Sequence, residues 1–348
     1  MAEIDPPRFA EAALGPIALG AVALAAGGAA LYSLLNSRRV ERERHPPHGR
    51  TVEVDGVRIH YVEVGPADAP PILFVHGNGA CLDDMLLSGL IEACATRYRC
   101  IVPDRPGYGH SSRPRGRSYA PEDQADLMRA FLAAIGADDP LVVGHSWGSL
   151  VGLAMALDPR APVRGAVLMS GYYYPQDRSD IFVMGLPSTP VIGPALLWTL
   201  GLPTMRRMAP KMLGHMFDPL PIPERVLAHY PFAYGERPSQ MRATAAELAV
   251  MRAAAADLMP RYPGCAVPVA LLHGAQDRAM APAPHTERLA AELPGARSSL
   301  LPGLGHMIHY FAQDAILAAI DETLARARSC AAGAAPAATS LGGSRAAG

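Results

Sequence analysis

One short segment, residues 141–149, constrains the fold of this chain more than any other. An apolar run at 141–143 leads into the sequence GHSWGS at 144–149, and a helical pattern follows at 150–157. The glycines on either side of Ser146 lack a Cβ atom and allow the chain to turn sharply from strand to helix. We therefore expect Ser146 to stand above the edge of a sheet as a nucleophile, beside the free N–H groups of a helix N-terminus.

The remainder of the body alternates apolar runs with helical patterns. The stretch 57–64 alternates as a half-buried strand would, and further compact apolar runs lie at 71–75, 99–102, 163–169 and 267–272. Helical patterns occur at 81–97 and 121–135. Short apolar runs bounded by turn residues suit strands that are buried on both faces. The alternation predicts an α/β fold in which a mainly parallel sheet is sandwiched by helices.

The interval 172–263 contains no convincing buried strand and is too long for a single connecting loop. We interpret it as a helical lid inserted between two parts of the core, residues 51–171 and 264–329. Four methionines of this interval recur at helical spacing: Met205, Met208, Met212 and Met216. They predict either packing of the lid on the core or a deformable apolar wall for a substrate chain.

The N-terminal segment 1–36 contains an uncharged stretch at 12–35, which is long enough to cross a bilayer. A secretory signal or an apolar helix packed on the protein are the alternatives, but the acidic start and the lack of a clear cleavage site favour a membrane anchor. The arginines that follow it, among them Arg38 and Arg39, place the downstream domain in the cytoplasm by the positive-inside rule. Residues 37–50 are expected to form a linker, and 330–348 a disordered tail.

The composition excludes several classes of function. The net charge is −1 and no basic stripe is interleaved with aromatic residues, so we expect no nucleic-acid partner. The five cysteines are irregularly spaced, and no Cys/His cluster has the spacing of zinc ligands, so we expect neither a disulfide framework nor a metal site. Lys211 is the only lysine among 31 basic residues, which suggests a GC-rich bacterial genome.

A nucleophilic serine needs a base and an acid that orients the base. The run at 267–272 leads into HGAQD, so Asp277 follows a strand end and is the predicted acid, with Asp177 and Asp180 as fallback candidates. The predicted base is His306, in the glycine-rich sequence GLGH. His309 could compete, but it begins an apolar helical stretch and is interpreted as structural.

The run at 71–75 ends in HGNG at 76–79, a loop that can direct backbone N–H groups at a developing oxyanion. We predict an oxyanion hole formed by the N–H groups of Asn78 and Trp147, the residue after the nucleophile. His76 is expected to brace this loop. His145 adjoins Ser146 but points elsewhere, so we interpret it as a packing or hydrogen-bonding residue.

Together these segments resemble the α/β-hydrolase fold superfamily over residues 50–329. The resemblance rests on five motifs in order along the chain: HGNG at 76–79, DRPGYGHS at 104–111, GHSWGS at 144–149, HGAQD at 273–277 and GLGH at 303–306. It implies the fold and a triad of Ser146, Asp277 and His306. It does not identify the substrate.

Within the superfamily, the chain looks like the lid-bearing group of esterases, haloperoxidase-like enzymes, carbon–carbon bond hydrolases, epoxide hydrolases and haloalkane dehalogenases. The last two classes use an aspartate nucleophile where this chain has Ser146, which argues against both. The elbow is also similar to that of proline iminopeptidases, GGSWGS, but their DQRG segment is replaced here by DRPG.

We therefore expect a membrane-bound serine hydrolase that cleaves a hydrophobic carboxylic ester through an acyl-enzyme, with no cofactor or metal. A carbon–carbon bond or amide hydrolase using the same triad is the first alternative. A non-catalytic, ligand-binding member of the fold is the second.

Overall fold

A computed structural model describes residues 9–42, 48–161 and 163–334, and its centre is a sheet of eight strands. The strands are β1 (Arg50–Val54), β2 (Val57–Val64), β3 (Pro71–Val75), β4 (Arg99–Pro103), β5 (Leu141–His145), β6 (Gly165–Met169), β7 (Val269–Gly274) and β8 (Arg297–Leu301). Their order across the sheet is β1-β2-β4-β3-β5-β6-β7-β8. β2 is antiparallel to both neighbours, and all other pairs are parallel. This sheet confirms the predicted α/β fold.

Alternate residues of the central strands enter two separate cores, one on each face of the sheet. Leu73 and Val75 of β3 join the core beneath the helices of one face, whereas Ile72 and Phe74 join the core of the other face. All four side chains are fully buried. Because both faces are covered, the central strands are apolar throughout, and this explains why the sequence revealed them.

The helices of the core cover both faces. They are α2 (Leu82–Leu86), α3 (Leu90–Ala95), α4 (Pro121–Ala134), α5 (Trp147–Ala156), α11 (Arg288–Glu292) and α12 (Gln313–Ala334). Side chains of α4 and α5 fill one core, and those of α2, α3 and α12 fill the other. This arrangement leaves the carboxyl ends of β3, β5 and β7 at one rim of the sheet, where the predicted site residues follow.

The described residues between β6 and β7 contain helices and turns but no strand, as predicted for the lid. The helices are α6 (Ser179–Gly185), α7 (Ile192–Leu196), α8 (Leu202–Phe217), α9 (Glu224–His229) and α10 (Pro238–Leu258). α8 carries the four spaced methionines. Met208 and Met212 are 44% and 38% exposed, so much of each residue faces away from the core.

The N-terminal helix α1 spans Phe9–Arg42 and is therefore longer than expected. Its part from Ala18 to Glu41 is long and apolar enough, by length and composition alone, to cross a membrane, and little of it is buried. The expected linker 37–50 is wrong at both ends, because α1 continues to Arg42 and β1 begins at Arg50. The polar residues 37–42 remain helical because Val40 and its neighbours pack on the lid.

Three further predictions are corrected. The edge strands β1 and β8 were missed as strands because most of their side chains are exposed and carry no apolar pattern. The single helix expected at 81–97 is two helices, since Gly89 adopts a φ of +81° between them. The expected tail at 330–348 begins too early, because α12 extends to Ala334; residues 335–348 lie outside the described residues.

Candidate active site

Ser146 occupies the turn between β5 and α5 in a backbone conformation that few residues adopt. Its φ is +54° and its ψ is −117°, and its N–H donates to the Met169 carbonyl at 2.8 Å. A non-glycine residue at such angles costs of the order of 1–3 kcal/mol, and such strain is concentrated at functional sites. The side chain is partly exposed, whereas the residues on either side of it are buried.

The two glycines of the elbow are required by close backbone contacts. A Cβ atom on Gly144 would lie 2.3 Å from the Gly148 carbonyl oxygen, and one on Gly148 would lie 2.0 Å from the Val75 carbonyl oxygen. The first of these oxygens belongs to α5 and the second to β3, so neither can move without disturbing the helix or the sheet. The sequence GxSxG is therefore needed to pack the first turn of α5 against β3 and β5.

His306 and Asp277 are brought together at the same rim of the sheet. His306 Nδ1 lies 2.7 Å from Asp277 Oδ2, and both side chains are buried. Within the described residues, His306 Nε2 has no hydrogen-bond partner. The ring of His306 lies 4.9 Å from the ring of His145, which directly precedes Ser146. The arrangement leaves Nε2 as the nitrogen available to accept a proton.

The carboxylate of Asp277 is saturated with hydrogen bonds. Oδ1 accepts from the N–H groups of Ala279 and Met280 at 2.8 and 2.9 Å, and Oδ2 accepts from His273 Nε2 at 2.9 Å as well as from His306. Burial alone would raise the pKa of Asp277, but the interactions with His306 and His273 outweigh it and hold that pKa well below its ordinary range. Asp277 is therefore an anion in the folded protein.

His273 is a residue that the sequence analysis quoted but gave no role. Its Nδ1 lies 2.6 Å from the Thr286 hydroxyl, and its Nε2 also lies 2.8 Å from the Met280 carbonyl oxygen. Because Nε2 faces two oxygen acceptors, it carries the proton and donates to Asp277. In the sequence, only the spacing of four residues between His273 and Asp277 indicated a contact between the two side chains.

The alternative acids and bases lie elsewhere. Asp177 is 91% exposed and pairs with Arg252 at 3.1 Å, and Asp180 lies in the first turn of α6, where its side chain is outside the description. His309 Nε2 contacts Asp84 Oδ2 at 3.2 Å. The structure thus places Asp277, and not Asp177, on the imidazole of His306.

The loop that carries the predicted oxyanion donors is held by Arg105 of the DRPG segment. The guanidinium donates from Nε to the His76 carbonyl at 2.8 Å and from Nη2 to the Gly77 carbonyl at 2.7 Å. The C=O and N–H of a trans peptide point in opposite directions. The N–H of Asn78 therefore points away from Arg105. A Cβ atom on Gly77 would lie 3.2 Å from the Ser146 Cβ, so the loop abuts Ser146.

The second predicted donor is the N–H of Trp147, the first residue of α5, which has no acceptor within its own helix. The side chain of Asn78 does not face the N–H of Trp147. It donates to Glu247 Oε2 at 2.9 Å, the Thr244 carbonyl and the Tyr108 hydroxyl. Its amide side chain thus ties the loop to the lid.

Glu247 of the lid helix α10 joins this cluster as the counter-ion of Arg105, and sequence reasoning missed it. Both side chains are fully buried and form an ion pair. Burial would raise the pKa of Glu247, but the charge of Arg105 outweighs it and holds that pKa below its ordinary value. The Tyr108 hydroxyl and Gln124 Nε2 donate to the same carboxylate at 2.8 and 3.0 Å. The lid and the loop 76–79 thereby share one buried polar network.

We expect Glu247→Ala to destabilise the protein by about 3–5 kcal/mol, because the charge of Arg105 would stay buried without its partner. The measurement is the melting temperature of the purified protein. Glu122→Ala is the matched control, since Glu122 forms an exposed ion pair with Arg261 and such pairs contribute about 0–1 kcal/mol. Equal melting temperatures for the two variants would contradict the network.

Asp84, His145 and His309 form a second buried group, of which His145 directly precedes Ser146. The rings of His145 and His309 lie 4.3 Å apart, and His145 Nε2 lies 3.1 Å from the His306 carbonyl oxygen, to which it donates. One potential ligand atom of each residue lies within 4.8 Å of the others, so these residues are the candidate set for a metal ion. Asp84 already accepts from His309 and from the Tyr310 hydroxyl, and these contacts account for its burial without an ion.

Two buried histidines make stability depend on pH. His76 Nε2 accepts from the Arg105 N–H, and His285 Nδ1 accepts from the N–H groups of Tyr173 and Tyr174. Burial, together with the charge of Arg105, lowers the pKa of His76 from 6.5 to about 4. Burial lowers the pKa of His285 to about 4 as well. Both rings are neutral in the folded state.

We expect the melting temperature to fall as the pH is lowered from about 6.5 to about 4, because the unfolded chain then binds protons that the folded chain excludes. His76 alone accounts for up to about 3 kcal/mol at the acid end of this range. Buried carboxylates with lowered pKa values, such as Glu247 with an ordinary value of 4.5, add to the loss at the acid end of this range. His285→Asn keeps an acceptor for the backbone and should flatten the slope, whereas exposed His215→Asn should not. A pH-independent melting temperature would contradict the expectation.

The comparisons with known proteins agree with this architecture. A model of the α/β hydrolase fold family matches residues 70–313. Haloalkane dehalogenase 2 of Mycobacterium tuberculosis is 31% identical over 288 residues, which cover 80% of this chain and 95% of the relative.

Solved structures show the same fold at lower identity. A bacterial membrane phospholipase A is 24% identical, with a TM-score of 0.62 over 91% of this chain and 99% of that one. The enol-lactonase of Burkholderia xenovorans LB400 is 22% identical, with a TM-score of 0.64 over 79% of this chain and all of its own. The match to the family model and the extent of the dehalogenase alignment show that this chain belongs to the α/β-hydrolase family.

Proposed function

We propose that the protein is a serine hydrolase that cleaves a hydrophobic carboxylic ester through an acyl-enzyme. The observation that carries this proposal is the pairing of two features at one rim of the sheet. Ser146 stands on a strained elbow, and His306 is anchored through Nδ1 by an ionised Asp277 while its Nε2 is unengaged within the described chain. This is the set of groups that acyl transfer to water requires.

In the proposed reaction, His306 Nε2 takes the proton of Ser146 Oγ as the oxygen attacks the ester carbonyl carbon. The N–H groups of Asn78 and Trp147 bind the oxyanion of the tetrahedral intermediate. The C–O bond of the ester breaks, and His306 gives its proton to the leaving alcohol. A water molecule, deprotonated by His306, then attacks the acyl-enzyme and releases the acid. Asp277 keeps the imidazole in one tautomer and stabilises its cationic form.

The similarity to a haloalkane dehalogenase supports the hydrolase family but not that relative's substrate. A dehalogenase of this group attacks with a carboxylate, and the elbow of this chain carries a hydroxyl instead. We therefore expect no halide release from haloalkanes.

The test combines a fluorophosphonate probe with a substrate panel on the full-length protein. Labelling of Ser146 and turnover of esters, with slower or absent turnover of amides, carbon–carbon bond substrates and haloalkanes, would support the proposal. Labelling with turnover only of amides or of carbon–carbon bonds would favour the first alternative. A folded protein that neither reacts with the probe nor turns over any substrate would favour a ligand-binding role.

We expect activity to rise with the length of the acyl chain in a series of p-nitrophenyl esters. Each buried methylene contributes about 0.8 kcal/mol, so kcat/KM should increase up to about fourfold per methylene until the chamber is filled. The series is assayed below the concentration at which the esters form micelles. Equal kcat/KM values from acetate to decanoate would contradict a hydrophobic substrate.

We further propose that α1 anchors the protein in a membrane, with the catalytic domain in the cytoplasm. The exposed apolar side chains of α1, among them Leu19, Leu24 and Leu31, support this location, and the arginines after the apolar stretch support the orientation. Resistance of the full-length protein to carbonate extraction tests the anchor. Protection of the catalytic domain from protease outside intact cells tests the orientation.

A further inference from the structure

A hydrogen-bonded cluster of Tyr32, Asn36, Arg206 and Glu236, which we call the clamp, joins the lid to α1 where the apolar stretch of α1 ends. Arg206 of α8 contacts the Tyr32 hydroxyl and donates to Asn36 Oδ1 at 2.9 Å and to Glu236 Oε2 at 2.7 Å. Asn36 Nδ2 donates to the same carboxylate at 3.0 Å. Because Tyr32 and Asn36 lie where the uncharged stretch 12–35 ends, the clamp fixes the lid at the level at which α1 would leave a bilayer.

Apolar side chains of the lid are exposed beside this clamp. The helical turn Leu197–Gly201 packs on α1 and leads directly into α8. Leu200 in this turn is 59% exposed, and Val191 and Ile192 at the start of α7 are 85% and 63% exposed. Trp198, one of only two tryptophans, is half-buried in the same turn. We call the residues 191–201 the lid tip. A group of exposed apolar side chains in one segment marks an interaction surface.

Basic side chains border the lid tip. Arg207 and Lys211 of α8 are exposed, and exposed Met208 and Met212 lie between and beside them. A helix with cationic and apolar exposed side chains suits the boundary between anionic headgroups and acyl chains. Tyrosine and tryptophan, here Tyr32 and Trp198, are enriched at that boundary.

We propose that the lid tip lies in the interfacial layer of the same membrane leaflet that α1 enters. This inference rests on the proposed anchor. Its occupant is the phospholipid leaflet, because the lid tip is continuous with the exposed apolar side chains of α1, such as Leu31 and Leu35. A second copy of the chain, related by a two-fold axis, would bring the basic border of one lid against that of the other. A hydrophobic substrate could then pass from the leaflet to the lid without crossing water.

The native tryptophans supply the test. The full-length protein is reconstituted into nanodiscs that contain anionic phospholipid and phosphatidylcholine brominated on its acyl chains. The emission of Trp198 is the difference between the wild type and Trp198→Phe, because Trp147 is buried in the core and remains in both. We expect brominated lipid to remove most of the Trp198 emission and aqueous iodide to remove little. The activity on a hydrophobic ester in the bilayer is measured in parallel.

Two variants sharpen the result. Leu200→Asp should reduce the quenching and the turnover of a bilayer-borne ester while leaving the turnover of a short soluble ester unchanged. Val64→Asp, at an exposed apolar position on the core, is the matched control and should change neither. Full quenching and normal bilayer activity in Leu200→Asp would overturn the proposal.

The outcomes separate this inference from the proposed anchor. Protein that carbonate extracts from membranes would refute the anchor and with it the premise. Anchored protein whose Trp198 is quenched by iodide but not by brominated lipid would refute membrane contact of the lid tip alone. Anchored protein in which neither quencher acts on Trp198 would indicate that a second copy or another part of the protein covers the lid tip, which also refutes the proposal.

Discussion

Replacing Ser146 with alanine is expected to lower kcat for ester hydrolysis by about 10⁶, the loss found when the serine of a comparable triad is removed. The variant keeps the oxyanion donors and the His306–Asp277 pair but has no atom that can form the acyl-enzyme. Because the Ser146 hydroxyl makes no hydrogen bond within the described chain that alanine would break, the melting temperature should not fall. The measurements are single-turnover ester cleavage and covalent labelling by a fluorophosphonate.

The controls for this variant must separate loss of chemistry from loss of folding. Ser118→Ala is matched, since Ser118 is exposed and bonds only near the start of α4. It should retain both labelling and turnover. Ser149→Ala is unsuitable, because the buried Ser149 hydroxyl donates to the Gly144 and Met169 carbonyls and supports the elbow. Near-normal esterase activity in well-folded Ser146→Ala would exclude Ser146 as the nucleophile.

The parts of the fold that the sequence predicted best are strands with a clear apolar pattern, which alternates in β2 and is continuous in β3. The bounds of β2 and β3 were predicted at 57–64 and 71–75, and the structure has the same bounds. β1 and β8 lie at the edges of the sheet, where exposed polar side chains such as Arg297 and Ser298 are tolerated, so their sequences carry no strand signal. The lengths of helices depend on packing partners that a sequence alone does not show.

The candidate site also contains residues that the sequence predicted and residues that it did not. Ser146 and Asp277 were predicted because each follows a strand at one rim of the sheet, where topology brings the chain segments together, and His306 was predicted from its glycine-rich segment. Arg105 and Glu247 are 142 residues apart, and their ion pair forms only because α10 of the lid folds back over the loop 76–79. No local pattern reveals such a contact. The lid therefore contributes to the site through buried charge, which hydrophobic periodicity cannot indicate.

The contact between the lid and α1 is likewise not visible in the sequence. The apolar stretch 12–35 predicted a helix that could span a bilayer, but the sequence did not show that its end is clamped to α8. The clamp involves Tyr32, Asn36 and Arg206, which are polar residues next to an apolar span. Once it is known, exposed apolar residues far along the chain, such as Leu200, become part of one surface with the N-terminal helix.

Asp277→Asn is expected to lower kcat/KM by about 10⁴, as found for the equivalent change in a serine protease triad. The reason lies in the hydrogen bonds of the carboxylate. Oδ1 accepts from the N–H groups of Ala279 and Met280, so the amide oxygen of an asparagine must take that position. Its NH₂ group is then forced to face His306 Nδ1 and cannot accept a hydrogen bond from an N–H at that nitrogen. His306 adopts the tautomer with the proton on Nε2, which cannot act as a base towards Ser146.

The decisive control for this change is Asp177→Asn, at the fallback acid. Asp177 is exposed and pairs only with Arg252 among the described residues, so kcat/KM should be unchanged. Fluorophosphonate labelling should be slowed in Asp277→Asn and unaffected in Asp177→Asn, because labelling needs the same activated hydroxyl as ester cleavage. Equal losses of kcat/KM in the two variants, or a loss only in Asp177→Asn, would contradict the prediction. Asp277, which hydrogen-bonds His306 in the structure, would then not be the acid that orients His306 during catalysis.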